Sequence, residues 1–170
     1  MATNFYTAFQ SSCCFRLSES QRMLAKALAL VDEKILWTRP NTRSNSLGNQ
    51  LLHMEGNLRQ YIIATLGGKQ DNRLREKEFD TQGGMAMQEL WTALDATIKE
   101  AILTIKICDE ATFLETHHVQ AFQLSGVDVA LHAVEHLSYH VGQVAFWIKQ
   151  NTATDLGFYE GLNLSNTNND

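Results

Sequence analysis

The chain has 170 residues, 44% hydrophobic and 19% charged, and its fourteen Lys and Arg against nineteen Asp and Glu give a net charge of −5. That length makes one domain the expectation and holds enough apolar residues to bury a core without disulfide staples. No basic stripe is present to neutralise phosphates, which argues against nucleic acid as a partner, and no apolar run approaches the roughly 20 residues that span a bilayer.

The N-terminal residues lack a charged flank leading into an apolar stretch, so no secretory signal is read there. Cys13 and Cys14 are adjacent and Cys108 is remote, a poor disulfide framework. Reduced thiols in a cytoplasmic protein are the simpler expectation. A single proline and scarce β-branched alternation point to helix, with the glycines as punctuation. A first helix is expected over residues 4–32, with or without a break, where Leu17, Leu24, Leu28 and Val31 recur at helical spacing. Residues 37–45 read as a loop, because Pro40 stops a helix and Ser44, Asn45 and Ser46 offer caps for the next one. The second helix is expected over 47–66, with Leu47, Leu51, Met54, Leu58 and Ile62 on one face, and the third over 85–107, carrying Leu90, Leu94, Ile98, Ile102 and Ile105. Residues 109–124 read as irregular, with a short strand-like stretch at 119–124. A capping box, Ser125-x-x-Asp128, opens the fourth helix, which runs to about residue 150. Four long amphipathic helices specify an all-α four-helix bundle. One domain is expected over residues 1–162, followed by a polar, disordered tail over 163–170.

Histidines supply the chemistry. Residues four apart on a helix lie one above another, so His132, His136 and His140 form a stripe beside the apolar arc of the fourth helix. On the second helix His53 borders the apolar arc in the same way, with Asn49 and Asn57 one turn away on either side. Two imidazoles at this spacing have Cβ atoms roughly 6 Å apart and can reach one ion. A third from another helix would complete a three-ligand set with positions left open, the pattern of catalytic sites; closed structural sites take four ligands. Spacing alone leaves two pairs available, His132 with His136 and His136 with His140. All three cannot share one ion, because His132 and His140 are about 12 Å apart by helical rise. A lone histidine on an amphipathic helix is more often an ordinary hydrogen-bonded residue. His117 and His118 read as solvated loop residues.

His132-Ala-Val-Glu135-His136 matches the H-x-x-E-H pattern of inverted zinc proteases. Too little chain follows for the distant acidic ligand of that class, so a peptidase is set aside. Glu55 and Arg59 are spaced for a helix-surface ion pair. The charge run containing Arg73, Arg75 and Glu78 is read as a solvated face, with a salt-bridge or dimer role second and anion binding or a loop cap as the other uses. Gly56 and Gly142, inside helices, suggest close approach of a neighbouring helix.

Ser44-Asn-Ser-Leu-Gly-Asn-Gln-Leu-Leu-His53, the stretch Asp71-Asn-Arg-Leu-Arg-Glu-Lys-Glu-Phe79, and His132-Ala-Val-Glu-His-Leu-Ser-Tyr-His140-Val-Gly-Gln143, with Leu156-Gly-Phe-Tyr159, resemble a branch of unknown function in the DinB-like (DinB/YfiT) superfamily of metal-binding bundles. The resemblance covers about residues 17–159. It implies an up-down-down-up topology, often a homodimer, and a divalent zinc or nickel ion held by one histidine of the second helix and two of the fourth. Carried over position by position, these are His53, His136 and His140, with His132 a neighbour of the site. Some relatives use the metal to activate a low-molecular-weight thiol. Asn57, Gln143 and Tyr139 are candidates to orient the ligands or touch a substrate, Tyr139 being the weakest because it points about 100° from His140. The expected function is a metal-dependent transferase or hydrolase acting on a small molecule. A non-catalytic metal-binding or ligand-sensing bundle is the alternative.

Overall fold

A computed structural model describes the protein over residues 4–167. Helix α1, Phe5–Leu28, opens on Asn4, whose side chain accepts from the Thr7 amide. It stops short of the expected residue 32. Asp32 adopts extended backbone and caps a separate helix, α2, Glu33–Leu36, by accepting from the Lys34 amide. A side chain that satisfies a free amide in this way competes with continuing the previous helix.

Ser46 and Asn49 exchange side-chain and backbone bonds in a capping box that starts α3, Leu47–Leu58. The expected single helix over 47–66 changes character midway. Residues Arg59–Leu66 form a π-helical continuation, closed by bonds such as Gly67 N–H to the Ile62 carbonyl. Tyr61, Ile62 and Ile63 are all buried there, and the wider turn accommodates large inward side chains at three successive positions. The charge run then forms a short helix, α4, Arg75–Asp80, packed on α3. Helix α5, Met87–Ile107, begins where Glu89 bonds the Ala86 amide, and α6, Glu110–Leu114, is capped by Asp109. Strands β1, Thr116–Val119, and β2, Phe122–Ser125, pair antiparallel as a hairpin. The turn falls at Gln120, in the left-handed region at φ 54°. The strand-like stretch expected at 119–124 therefore straddles a turn, and His117 and His118 belong to β1 instead of a loop. The Ser125–Asp128 capping box opens α7, Gly126–Thr152.

Side-chain contacts fix the topology. Tyr6 and Gln10, near the start of α1, bond carbonyls at the end of α5, while Gln21 further along α1 bonds Asp95. These two helices are antiparallel. Glu55 contacts Thr97, and Arg59 faces Glu100, so α3 and α5 run parallel. Helix α7 faces α3 in the opposite sense, His136 against His53 and His132 against Asn57. Each of α1 and α3 packs on both α5 and α7, leaving α1 and α3 on one diagonal. The result is an up-down-down-up four-helix bundle. Its core is apolar, with Leu17, Leu24, Leu51, Met54, Leu94, Ile98, Val144 and Ile148 fully buried. No helix among the described residues is long and apolar enough to cross a membrane. Residues 163–167 of the tail are exposed, and 168–170 lie outside the described residues.

Candidate metal centre

Antiparallel packing of α3 on α7 brings three imidazoles together. His53 is buried on α3; His136 and His140 are half-buried, one turn apart on α7. One nitrogen from each ring lies within 4.8 Å of the other two. The ring centroids are 4.8 Å apart for His53 and His136, 5.1 Å for His53 and His140, and 4.5 Å for His136 and His140. His132 is outside this group. Its ring stacks on Tyr61 at 4.1 Å, and its Nε2 is 3.4 Å from Asn57 Nδ2.

The charge run read as a solvated face supplies the support behind His53. Arg73 and Glu78 form an ion pair with side chains only 3% and 9% exposed. Arg73 donates from Nε to Glu78 Oε1 at 2.7 Å and from Nη2 to Oε2 at 2.9 Å. Its Nη1 donates to Gln60 Oε1 at 2.9 Å. Glu78 Oε2 lies 2.8 Å from His53 Nδ1. Burial pushes the Glu78 carboxyl up, but its bonds to Arg73 and His53 more than offset this and hold it below the ordinary range. An ionised carboxylate only accepts, so its contact needs the proton on His53 Nδ1, and Arg73 Nη2, 3.1 Å from the same nitrogen, then donates to Glu78 Oε2 instead. In the neutral ring the lone pair is then on Nε2, which faces His136 Nε2 at 3.0 Å. A carboxylate fixing ring orientation and tautomer from behind is the usual support of a metal-ligating histidine.

Gly56 makes room for this pair: a Cβ there would collide with Glu78 Oε1, so the neighbouring helix that approaches closely is α4, through its carboxylate. A Cβ added at Gly142 would meet nothing within 4 Å, and close approach does not explain that glycine. Asn49, buried, bonds the Glu78 and Thr81 carbonyls and ties α4 onto α3. Phe79 packs against His53 at 4.9 Å and under the Arg75 guanidinium at 4.9 Å. Arg75 itself is exposed, as the reading of a solvated face expects. No spacing rule joins Glu78 to a histidine 25 residues earlier. The one local signal is a carboxylate among alternating charges after a loop.

Burial holds His136 down to about 3, aided by His140, His53, His132 and Arg73, and it holds His140 down to about 4, aided by His53 and opposed by a bond from Gln143. Both rings are neutral donors at pH 7. His140 Nδ1 and Asn57 Oδ1 are buried with no hydrogen-bond partner. Tyr139 is 65% exposed and meets His140 only edge-on, at 5.3 Å. Cys13, Cys14 and Cys108 are buried, unpaired and away from the trio, with burial pushing each thiol up. His117 Nε2 bonds the Thr112 carbonyl, a structural contact.

The three histidines could hold a metal ion. Two nitrogen ligands at 2.0–2.1 Å in tetrahedral geometry lie roughly 3.3 Å apart, close to the 3.0 Å between His53 and His136. Neutral rings, a carboxylate-fixed tautomer and an orphaned nitrogen on the third ring all suit a cation between them. Of the sequence-identified residues, the structure thus groups His53, His136 and His140, sets Asn57 with His132 on one side and Gln143 on the other, and leaves Tyr139 at the surface.

A DinB-like protein from Bacillus subtilis, YjoA, shares the fold with a TM-score of 0.67 at 12% identity, over 87% of this chain and 96% of that one. A DinB-like protein from Bacillus cereus gives 0.66 at 11% identity, over 87% and 93%. At these identities the likeness shows the fold alone. No curated protein matches the chain. The model of DUF1572, a family of proteins of unknown function, matches residues 4–159, and on that match this four-helix bundle belongs to the DUF1572 family.

Proposed function

We propose that the chain is a metal-dependent transferase or hydrolase acting on a small molecule, with His53, His136 and His140 holding a divalent zinc or nickel ion. The observation that carries this is the convergence of three imidazole nitrogens within 4.8 Å, one of them fixed from behind by Glu78. A bound divalent ion supplies Lewis-acid chemistry that lowers the pKa of a water or thiol and polarises an electrophile. The chain's own part is to present neutral donors and to keep them dry. Burial holds His136 and His140 unprotonated, and Arg73 keeps Glu78 ionised so that it can orient His53. The DinB-like resemblance supports a low-molecular-weight thiol as co-substrate and a homodimer as the working state, and the unpaired Cys13, Cys14 and Cys108 support the cytoplasm as its place.

A second reading, a metal-binding bundle without catalysis, draws on the engagement of Glu78. Its carboxylate oxygens are taken by His53 and Arg73, so it is not free to act as a general base. Metal analysis of untagged protein tests the common part: about one ion per chain is expected, and metal content unchanged by His136→Ala would overturn both readings. Thiol conjugation and ester hydrolysis, assayed with and without chelator, separate them. Activity abolished by chelation supports the enzyme; activity indifferent to chelation removes the metalloenzyme.

A further inference from the structure

Helix α7 buries one side in the bundle and leaves the other bare. Along the bare side run Glu135, Ser138, Tyr139, Gly142, Phe146 and Lys149, all exposed, at the spacings of three and four that keep residues on one helical face. Tyr139 and Phe146 are 65% and 69% exposed. Two large rings left in water on one face and rimmed by polar residues mark an interaction surface. Beside them the small residues Ser138 and Gly142 leave a hollow. A Cβ at Gly142 would meet nothing within 4 Å, so no contact inside the chain accounts for a residue that weakens its helix.

The charges at the two ends of this face select its occupant. Glu135 lies seven residues before Gly142 and Lys149 seven after it. Among the described residues neither makes an ion pair within the chain. A second copy running antiparallel, related by a twofold axis through Gly142, sets Glu135 against the partner's Lys149 and Lys149 against the partner's Glu135. The same symmetry lays each Phe146 ring over the other copy's Ser138, since these residues stand four on either side of the axis. A parallel pair would instead set Glu135 against Glu135 and Lys149 against Lys149, like charges that repel.

We propose that the exposed face of α7 is a docking surface for a second copy of this chain, the two α7 helices crossing antiparallel at Gly142. The aromatic rings supply the apolar contact, and the two Glu135–Lys149 pairs fix direction and register, as charges flanking an apolar seam do between paired helices. The face ends at Tyr139, whose ring meets His140 edge-on at 5.3 Å, so the seam between the copies borders the histidine trio. As an interface it rests on the homodimer reading and is independent of the metal.

The test is sedimentation equilibrium of the untagged full chain at low salt, where exposed charges are least screened. The wild-type chain is expected as a dimer. Glu135→Lys and Lys149→Glu each place two like-charge pairs across the seam and should weaken the dimer about tenfold or more. An equimolar mixture of these two variants opposes unlike charges at both positions, so heterodimers of about wild-type affinity should form. Phe146→Asp buries a carboxylate under the partner copy and should abolish the dimer at high salt as well. All three positions are exposed, so the variants keep the fold. A monomeric wild-type chain overturns the proposal together with the homodimer. A dimer that either charge reversal or Phe146→Asp leaves intact overturns the proposal and keeps the homodimer, which then uses another face. Weakened variants that the mixture does not restore overturn it as well, because the restored pairing is specific to this antiparallel register. Zinc content measured on the same samples reports on the metal centre separately.

Discussion

Glu78 Oε2 lies 2.8 Å from His53 Nδ1, and both side chains are about nine-tenths buried. The contact ties a six-residue helix to one member of the histidine trio, and Arg73 holds the carboxylate ionised from its other side. Glu78→Gln should therefore act through His53 while leaving all three candidate ligands in place. Losing this support is expected to lower zinc affinity about 10- to 100-fold. It also leaves the Arg73 charge buried without its partner, at a cost of about 3 kcal/mol. Competition titration against a chromophoric zinc chelator measures the first effect, and thermal unfolding of the metal-free protein the second. Unchanged affinity in a folded variant would show that Glu78 is merely structural.

Two glycines inside helices separate close packing from its absence. Gly56→Ala drives a methyl group into Glu78 Oε1 and must displace the carboxylate from His53 and Arg73. Its melting temperature and its zinc affinity should both fall, the latter roughly tenfold. Gly142→Ala meets nothing within 4 Å and should raise stability by roughly 0.5–1 kcal/mol, the ordinary gain of Ala over Gly in a helix interior. Paired thermal melts and zinc titrations check both.

His132 and His136 stand four apart on α7 yet take different work. His132→Phe keeps a ring to stack on Tyr61 and should retain about one metal ion per chain. His136→Ala and His140→Ala each remove a member of the trio and should weaken metal binding on the order of 100-fold. Elemental analysis after dialysis distinguishes the two behaviours. Loss of metal in His132→Phe equal to that in His136→Ala would bring back the H-x-x-E-H pair.

Acid should destabilise the metal-free protein in a defined window. His136 is held down to about 3 from an ordinary 6.5, and His140 down to about 4. The unfolded chain takes up these protons first, so it gains on the folded state as pH falls below 6.5. Glu78, held below its ordinary 4.5, adds loss of the same sign at lower pH. Melting temperature should be flat from pH 8 to 7 and decline steadily from 6.5 toward 4. Replacing both His136 and His140 by Gln should flatten that decline. An equally steep decline in the double variant would place its origin outside the trio.

The helices were legible because their causes are local. The periodic apolar residues of α5 and α7, and the Ser46 and Ser125 caps, act within a few residues of themselves. The position of the break before Asp32 and the hairpin turn at Gln120 were not, since each depends on which of two local bonding options the packed chain selects. The π-helical segment escaped for a related reason: its cause is the burial of Tyr61, Ile62 and Ile63 together, a demand set by neighbours.

For the site, the chain by itself determined that four histidines stand on the edges of two apolar faces and that a pair on α7 can reach one point. Periodicity settles which face a residue occupies, because a helix repeats at a fixed angle. Only the tertiary structure decided that α3 and α7 meet antiparallel with His53 level with His136 and His140, and that Arg73 and Glu78 are buried behind them. The burial of Arg73 and Glu78 follows from how a loop of eight residues returns to cover α3 after Leu66. No rule of spacing along the chain encodes that distance.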